Sequence, residues 1–371
     1  MVPTPAQGRV GFKPNAAMKK TSTTLLALLL YGIAYSQGCI PVRNLVGFGQ
    51  FINPKYDSLN ADPTKWLLNV GSRHYQAEQL FNGSSPVDQS PEDRGVNRVF
   101  IMNFSVSRMF GNGWSYTVDI PISAATRTTW QEHDSTTRDR HTTRSFGIGD
   151  IRVTAYKWLF DASMSHRGNL QLGVGIKLPT GNYRYEDYFY KKSGTVSAPV
   201  NSTIQLGDGG TGFSLELNGF YNIGRRVSVY GNLFYLFNPR DQNGVSNLYG
   251  GGAPTAVKNA GATVNSVPDA FTARVGGNFN VRNIAFWGGF RAEGQPVHDA
   301  FGESNGQRRA GLIVSAEPGM NYSFKKMTLY AFVPIPVYRT TFQTVPDQKM
   351  GRPSPGGFAD YSVFLGALFK L

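Results

Sequence analysis

The most regular feature of the chain is an alternation of apolar and polar side chains with a period of two. Between residues 146 and 160, an apolar set at odd positions runs from Ile151 to Ala155, and a polar set at even positions runs from Arg152 to Tyr156. This period is typical of a β-strand with one apolar face. The same pattern recurs in residues 169–178, 212–221 and 270–281.

Extending this criterion along the chain predicts about twelve strands. Most of them run for about eleven residues or more, which at roughly 3.3 Å per residue and a tilt near 40° covers about 25–30 Å, the thickness of a bilayer's hydrocarbon layer. Strands of soluble proteins are usually only about five or six residues long. The predicted strands are 65–76, 97–110, 113–122, 146–160, 168–179, 211–223, 226–238, 270–281, 283–294, 309–323, 326–338 and 358–371.

The predicted connections alternate between short and long. The short ones include 111–113, 161–167 and tight reversals such as the one at Gly224. This alternation is typical of an outer-membrane β-barrel with short periplasmic turns and long extracellular loops. The long connections are 82–96, 124–145, 180–210, 239–269, 295–308 and 339–357.

Prolines support this arrangement, since a proline cannot donate to a strand ladder and is tolerated at strand ends. We expect each of them at or just past the far end of a strand that rises from a short turn. They are Pro121, Pro179, Pro239, Pro296 and Pro336.

The predicted fold is therefore an all-β, antiparallel, up-and-down transmembrane β-barrel over residues 65–371. A soluble β-sandwich is the alternative, but it needs a second sheet over each apolar face and gives no reason for the alternating loop lengths. In the barrel, we expect Ile151, Val153 and Ala155 to face lipid, and Trp158 and Phe160 to anchor at the periplasmic interface. The last strand places an apolar, aromatic-rich face at the chain terminus, typical of the assembly signal of outer-membrane barrels. That face comprises Tyr361, Val363, Leu365, Ala367, Phe369 and Leu371.

The N-terminal region predicts export. Lys19 and Lys20 precede an apolar run too short to span a bilayer, and a small residue, Ser36, follows it. This is the pattern of a secretory signal over residues 18–36, with cleavage near Ser36. A buried N-terminal helix is the alternative. Residues 1–17 are then an upstream extension, and residues 37–64 a periplasmic lead-in.

The net charge and the single cysteine limit the binding partners and the covalent links that the chain can have. Removal of residues 1–36 takes away four basic residues and no acidic ones, which leaves 33 basic against 24 acidic residues, or +9. In an exported protein, this charge favours contact with anionic lipid headgroups or sugars and argues against nucleic acid. One cysteine, Cys39, excludes an intrachain disulfide. Lipid modification of Cys39 is an open alternative, although the preceding residues lack the expected apolar position.

Two neighbouring stretches resemble a known family. Gly147, Gly149 and Asp150 begin an alternating strand, and Lys177 to Gly181 form a Lys-Leu-Pro-Thr-Gly run at the end of the next strand. About 35 residues around them resemble the family of outer-membrane transporters linked to the meta pathway of phenol degradation. The resemblance implies uptake of small compounds, including aromatic ones, and assigns no functional residues. The glutamine that follows the predicted cleavage site resembles exported proteins of the Bacteroidetes, which are Gram-negative.

Catalytic and metal chemistry find little support. His133 and His141 lie in a Thr- and Arg-rich stretch that favours a solvated loop over a metal site. His74 and His298 lie near strand ends, and neither has an evident nucleophile partner in sequence. The glycine-rich run 207–212 lacks the lysine of a phosphate loop. We predict no enzyme activity, no cofactor and no bound metal.

The alternation places charged side chains in the lumen, where they either pair and close the barrel or line an open pore. The sequence therefore predicts a porin-like, monomeric channel for passive passage of small solutes, with the loops at 124–145, 180–210 and 239–269 gating it. The alternative is a closed structural barrel whose loops bind a surface partner or polysaccharide. Expected partners are outer-membrane lipid and lipopolysaccharide, the barrel-assembly machinery and a small-molecule solute. The candidate lumen residues are Asp119, Arg152, Lys177, Glu216, Arg274, Arg291, Glu293, Glu317 and Asp360.

Overall fold

The computed structural model describes residues 66–133, 138–160, 167–249 and 252–371, all within the second of two compact units, residues 36–371. Several predictions fall outside the described residues and stay predictions. They concern the extension 1–17, the signal peptide 18–36, Cys39 and the lead-in 37–64.

The described chain is built mainly of strands, with two one-turn α-helices, α1 (Thr255–Asn259) and α2 (Val345–Lys349). Short 3-10 turns occupy Pro91–Asp93 and Gly111–Gly113. Among the described residues, no helix is long and apolar enough to cross a membrane. The strands are β1 (Trp66–Ala77), β2 (Leu80–Asn82), β3 (Ser85–Pro86), β4 (Val96–Met109), β5 (Trp114–Thr129), β6 (His141–Ile148), β7 (Arg152–Trp158), β8 (Gly168–Lys177), β9 (Glu186–Lys191), β10 (Gly194–Pro199), β11 (Gly212–Asn222), β12 (Val227–Phe237), β13 (Gln242–Ser246), β14 (Val264–Ser266), β15 (Ala270–Val281), β16 (Ile284–Gln295), β17 (Gly311–Ala316), β18 (Gly319–Ser323), β19 (Met327–Phe332), β20 (Ile335–Thr341), β21 (Gly356–Gly357) and β22 (Tyr361–Lys370).

The long strands form a closed antiparallel barrel. Neighbours in sequence pair around the ring, and β22 closes it against β1, with Gly71 opposite Gly366. Three wall strands are each made of two consecutive pieces, β6 with β7, β17 with β18, and β19 with β20. Counted this way, the wall has twelve strands, which confirms the predicted fold. Both ends of the wall lie at the same rim, where the Leu371 amide donates to the Trp66 carbonyl over 2.9 Å.

The two faces of the wall separate as the period of two requires. Large apolar side chains cover the outside; Val174 and Val275, for example, are each 61% exposed. The inside is closely filled with polar side chains. Trp158 departs from the expectation: it shares the inward face with Arg152 and is only 8% exposed, because even positions of β7 all point inward. Its ring packs edge-on against Phe220 inside the barrel.

Prolines follow the predicted rule at three positions and break it at two. Pro179, Pro239 and Pro296 come just after β8, β12 and β16, whereas Pro121 and Pro336 lie inside β5 and β20. Pro121 stands beside the break between β6 and β7, where its carbonyl accepts from the Gly149 amide, and Pro336 stands at a shift of register between β17 and β20. The ladder is already interrupted at both places, so the missing N–H has no strand partner to lose.

The long connections contain more structure than the sequence indicates. Half of the predicted loop 124–145 belongs to the wall, because β5 continues to Thr129 and pairs with β6, which begins at His141, so the loop proper begins at Trp130. β9 and β10 form a hairpin, β13 pairs with β14, and β2 pairs with β3 and β21. These short strands pair within or between loops and have no lipid-facing side. Their sequences therefore lack the alternation with a period of two that identified the wall strands.

Candidate functional site in the barrel lumen

An ion-pair cluster crosses the lumen near mid-height on one side of the barrel. The Arg152 guanidinium contacts two carboxylates, Glu216 at 2.6 Å and Asp119 at 3.0 Å. The Tyr156 hydroxyl donates to the second oxygen of Glu216 over 2.9 Å, and the Ser105 hydroxyl donates to Asp119 over 2.5 Å. Each charged group is therefore held by several hydrogen bonds, as a buried ion pair requires.

A second cluster continues this layer on the opposite part of the wall. Arg274 is paired with Glu317, and Arg291 contacts Glu293 at 2.6 Å and Glu317 at 3.7 Å. Arg73 of β1 extends the chain of charges to Glu293 at 3.3 Å. These side chains are no more than 7% exposed. The two clusters together hold four arginines and four carboxylates, so the layer carries no net formal charge.

An aromatic cluster lies on the periplasmic side of the second ion-pair cluster. Phe332 and Phe364 stack with ring centroids 4.2 Å apart, and Tyr230, Trp287 and Tyr330 complete the cluster. The Arg274 guanidinium lies 5.5 Å from the centroid of Phe332, and those of Arg73 and Arg291 lie 5.1 and 5.6 Å from that of Phe364. Aromatic faces stabilise cations at such distances, so the two layers pack as one unit.

A cavity of about 170 Å³ lies in the lumen beside Arg73, Asp119 and Arg152. Its apolar lining includes side chains from β1, β4, β5 and β12, and its charged lining comes from the wall and the loops. The apolar residues include Tyr75, Val99, Ile101, Phe234 and Leu236, and the charged residues are Arg73, Asp119, Asp150, Arg152, Lys177, Asp208, Arg308 and Arg309. A mixed lining of this kind suits a small amphipathic molecule.

The cavity is bounded by a chain segment that folds into the barrel. This inserted segment, residues 200–208, follows β10; its Val200 and Ile204 are 1% exposed and pack in one cluster with Tyr75, Val99 and Ile101. The Ser145 hydroxyl of β6 donates to the Ile204 carbonyl. Apolar packing and hydrogen bonding to the wall both fix the segment in the lumen.

The two stretches that carry the family resemblance meet at the base of this segment. The Asp150 carboxylate accepts from the Gly181 amide at 3.0 Å and from the Asp208 amide at 3.2 Å, and Lys177 lies 4.0 Å from it. Lys177 also pairs with Asp208. A Cβ on Gly207 would lie 2.4 Å from an Asp150 oxygen, so this close approach requires glycine. These residues hold the inserted segment against the wall.

Seven of the nine predicted lumen residues lie in the two ion-pair clusters, and an eighth, Lys177, lies at the inserted segment. Asp119, Arg152 and Glu216 form the first cluster, Arg274, Arg291, Glu293 and Glu317 belong to the second, and Lys177 holds the inserted segment. Asp360 lies apart from them, just before β22, where its amide donates to the Gln76 carbonyl over 2.9 Å. Burial and the nearby Glu78 carboxylate raise the Asp360 pKa to about 8, against the opposing effect of Arg339.

Sequence reasoning missed Arg73, Arg309 and the inserted segment. Arg73 lies on β1, where the outward positions Ser72 and His74 are polar, so the alternation that identified the other lumen residues is lost. The inserted segment has apolar side chains inside a long polar connection, and that contrast is the signal that would have indicated burial.

The histidines of the second long loop pack on aromatic side chains. The His133 ring stacks on Phe189 at 5.3 Å and on Tyr190 at 5.8 Å, and its Nδ1 accepts from the Tyr190 amide. Burial and the neighbouring His141 lower the His133 pKa to about 4. The aromatic run 183–192 thus packs onto its own loops, as its composition favours, while Tyr188 remains 61% exposed. Among the described residues, no cluster of three metal-ligating side chains is present.

Comparison with known proteins supports the fold. No family model and no curated protein matches the sequence. The COG4313 outer membrane channel from Pseudomonas putida F1 is similar in structure, with a TM-score of 0.55 and 12% identity over 84% of this chain and 96% of that one. The CymD monoaromatic hydrocarbon channel (TM-score 0.40, 8% identity, 91% of this chain and 98% of that chain covered) and the KdgM porin (TM-score 0.36, 9% identity, 82% and 99% covered) are less similar. The chain thus has the fold of an outer-membrane β-barrel.

Proposed function

We propose that the protein is an outer-membrane channel for the passive passage of small solutes. The observation that carries the proposal is the cavity inside the lumen, which is lined by both charged and apolar side chains and borders the ion-pair layer. Charged linings orient solutes and ions in pores. A barrel that served only as a scaffold would gain more stability from an apolar filling than from eight buried charges.

The lining supports solutes with an apolar body. Val99, Ile101 and Leu236 offer aliphatic surface, and Tyr75 and Phe234 offer aromatic surface. Such surfaces favour hydrophobic or aromatic compounds over sugars, which need many hydrogen-bonding partners. The resemblance to the transporter family linked to phenol degradation agrees with this class of solute.

Passage requires movement of two obstacles. The inserted segment narrows the extracellular half, since Val200 and Ile204 pack against the wall there. The ion-pair layer and the aromatic cluster fill the lumen on the periplasmic side of the cavity; Arg291, Phe364 and Glu317 are each 1% exposed. We assign gating to the inserted segment, because it is a connection between strands and not part of the wall.

Partners follow from the outer surface and the last strand. Outward side chains such as Leu365, which is 52% exposed, would contact lipid and lipopolysaccharide, and the apolar face that ends at Leu371 would be recognised by the barrel-assembly machinery. The proposed activity is transport without catalysis. His74 lies on the wall, 3.4 Å from the Tyr361 hydroxyl, and His133 and His141 pack on aromatic rings.

Conductance of the refolded protein in a planar bilayer tests the proposal. Folding is checked first by the heat-dependent mobility of the barrel on gels. We expect discrete current steps in KCl. Absence of steps from a folded barrel would contradict the channel.

The second candidate is a closed barrel whose loops bind a surface partner or polysaccharide. The complete pairing of the mid-lumen charges favours it, as does Tyr188 on β9, which is 61% exposed and available for stacking on sugars. The nearby Tyr190 is 47% exposed, but its ring packs against His133 and His141. A silent, folded barrel that retains binding to outer-membrane polysaccharide would support this candidate, and loss of that binding in the variant Y188A/Y190A would locate it.

A further inference from the structure

Arg309 differs from every other cation that lines the cavity. Arg73, Arg152, Lys177 and Arg308 each have a carboxylate within 4.0 Å. Within the described part of the chain, Arg309 has none. Its Nη2 donates a long hydrogen bond to the Asn201 side-chain oxygen at 3.4 Å, and its buried Nε, like that of Arg308, has no partner among the described residues.

The adjacent Arg308 differs from Arg309, because its guanidinium is engaged by a carboxylate and other acceptors. Its guanidinium contacts both oxygens of Asp299, at 2.6 and 2.8 Å, and also donates to the Ser266 hydroxyl at 2.7 Å and the Val297 carbonyl at 3.2 Å. Arg308 therefore uses its donors to fix the loop before β17. Arg309 lines the same cavity, and most of its five donors have no acceptor among the residues that the structure describes.

Nearby carboxylates do not neutralise Arg309. Glu132 is engaged by Arg127 at 2.6 Å and by the Asn201 amide at 2.7 Å, and it lies beyond 4.0 Å from Arg309. Arg127, Glu132 and Arg309 together carry a net charge of +1. Leaving a charge of this kind partly desolvated is costly unless an anion compensates it.

The surface around Arg309 restricts the anion that fits. Ile204 and Leu206 of the inserted segment line the cavity, together with Val99, Ile101 and Leu236 of the wall. These five side chains are aliphatic and form an apolar part of the lining, beside polar side chains such as Ser202, Gln205 and Gln307. One guanidinium can pair in a bidentate way with one carboxylate.

We propose that Arg309 is the anion anchor of the cavity, which binds small monocarboxylates that carry a compact apolar body. This inference rests on the proposed channel, because it names the class of solute that the channel admits. The guanidinium holds the carboxylate, and the aliphatic walls cover the body. The same molecule in its neutral amide form lacks the charge that Arg309 compensates.

Calorimetric titration of the refolded full-length barrel in detergent tests the anchor without requiring conduction. The probe is cyclohexanecarboxylate, and cyclohexanecarboxamide is its neutral counterpart. We expect the carboxylate to bind, the amide to bind at least tenfold more weakly, and Arg309→Gln to weaken carboxylate binding about tenfold to a hundredfold. Arg309→Lys restores part of the affinity, because it keeps the charge but not the bidentate geometry.

Arg98→Gln is the matched control. Arg98 lies on β4, is exposed, and donates to the Gln76 side chain at 3.0 Å away from the cavity. The same loss of charge there leaves binding unchanged. Binding that is equal in the wild type and Arg309→Gln, equal for acid and amide, or absent from the folded wild type overturns the proposal.

Conductance separates this inference from the function on which it rests. Carboxylate binding that depends on Arg309, in a barrel that never conducts, would retain the anchor and reject the channel. Current steps in KCl without any binding that depends on Arg309 would retain the channel and reject the anchor.

Discussion

Arg152 on β7 donates to Glu216 on β11 at 2.6 Å, although the whole of β8 lies between those two strands. The intervening residues of β8 that face the lumen are Gly173 and Gly175. Side chains there would occupy the space in which the guanidinium and carboxylate meet. The first ion-pair cluster thus depends on the two glycines of β8 as well as on the charged side chains.

Arg152→Gln is expected to destabilise the barrel by about 3 kcal/mol, because it leaves Glu216 and Asp119 in the lumen without their cation. The free energy of unfolding in urea, measured with the barrel in lipid vesicles, checks this. The same variant changes the mid-lumen charge from zero to −1, so ion preference in a planar bilayer moves toward cations. The double variant Arg152→Gln/Glu216→Gln regains part of the stability; a single variant as stable as the wild type would show that the pair contributes little.

Gly173→Ala is expected to cost about 1–3 kcal/mol through overpacking. The new Cβ would lie 2.6 Å from a ring carbon of Tyr156 and 3.1 Å from the Glu216 Cβ. Gly288→Ala is the control, since a Cβ there meets nothing within 4 Å. The melting temperatures of the two variants are compared by gel mobility. Equal values would mean that the Tyr156 ring moves aside without loss of stability.

Asp360 is expected to make the stability depend on pH. Its pKa is raised from an ordinary value of 3.8 to about 8, by burial and by Glu78, while Arg339 and Arg94 oppose the shift. The folded state therefore binds more protons than the unfolded state between these values, so stability falls as the pH rises from about 4 to 8. Melting temperatures at pH 6 and pH 9 should differ in the wild type and differ less in Asp360→Asn. An unchanged pH dependence in that variant would assign the effect to another group.

Ile204→Asp is expected to release the inserted segment and raise the conductance several-fold. Ile204 is 1% exposed and packs against wall side chains, and a buried carboxylate without a partner costs several kcal/mol there. Single-channel recording in KCl checks this. Ile204→Val, which keeps the apolar contact, serves as the control, and equal conductance in both variants would remove the segment from the gate.

The wall was predictable because each lipid-facing position repeats at every second residue. That period located Arg152, Glu216 and Arg274 on the inward face from sequence alone. It could not show that Arg152 meets Glu216, because the register between strands is set by neighbouring strands and not by local pattern. The prediction that Trp158 anchors at the lipid interface was wrong, because it was based on the aromatic ring near the strand end. The period of two itself places position 158 on the inward face with Arg152.

The cavity was not predictable in the same way. Its distinctive members, Arg309 and Ile204, lie in connections, where no period links sequence to direction. Arg309 was predicted as the first residue of the strand 309–323, but the strand begins at Gly311. Arg309 is also adjacent to Arg308, and the sequence alone does not tell which of the two arginines is paired with a carboxylate. Only the position of Asp299 and Asn201 in space makes that distinction.

The inserted segment also bears on the order of assembly. Val200 and Ile204 pack against Tyr75, Val99 and Ala125, so the buried residues of this cluster all come from the chain before β11; Ala359 packs against them from the loop before β22. The buried part of this cluster therefore needs no contact with β11 to β22 to form. When β22 pairs with β1 and closes the barrel, this cluster can already fill part of the lumen. The last strand then has to fit against packing that formed without it.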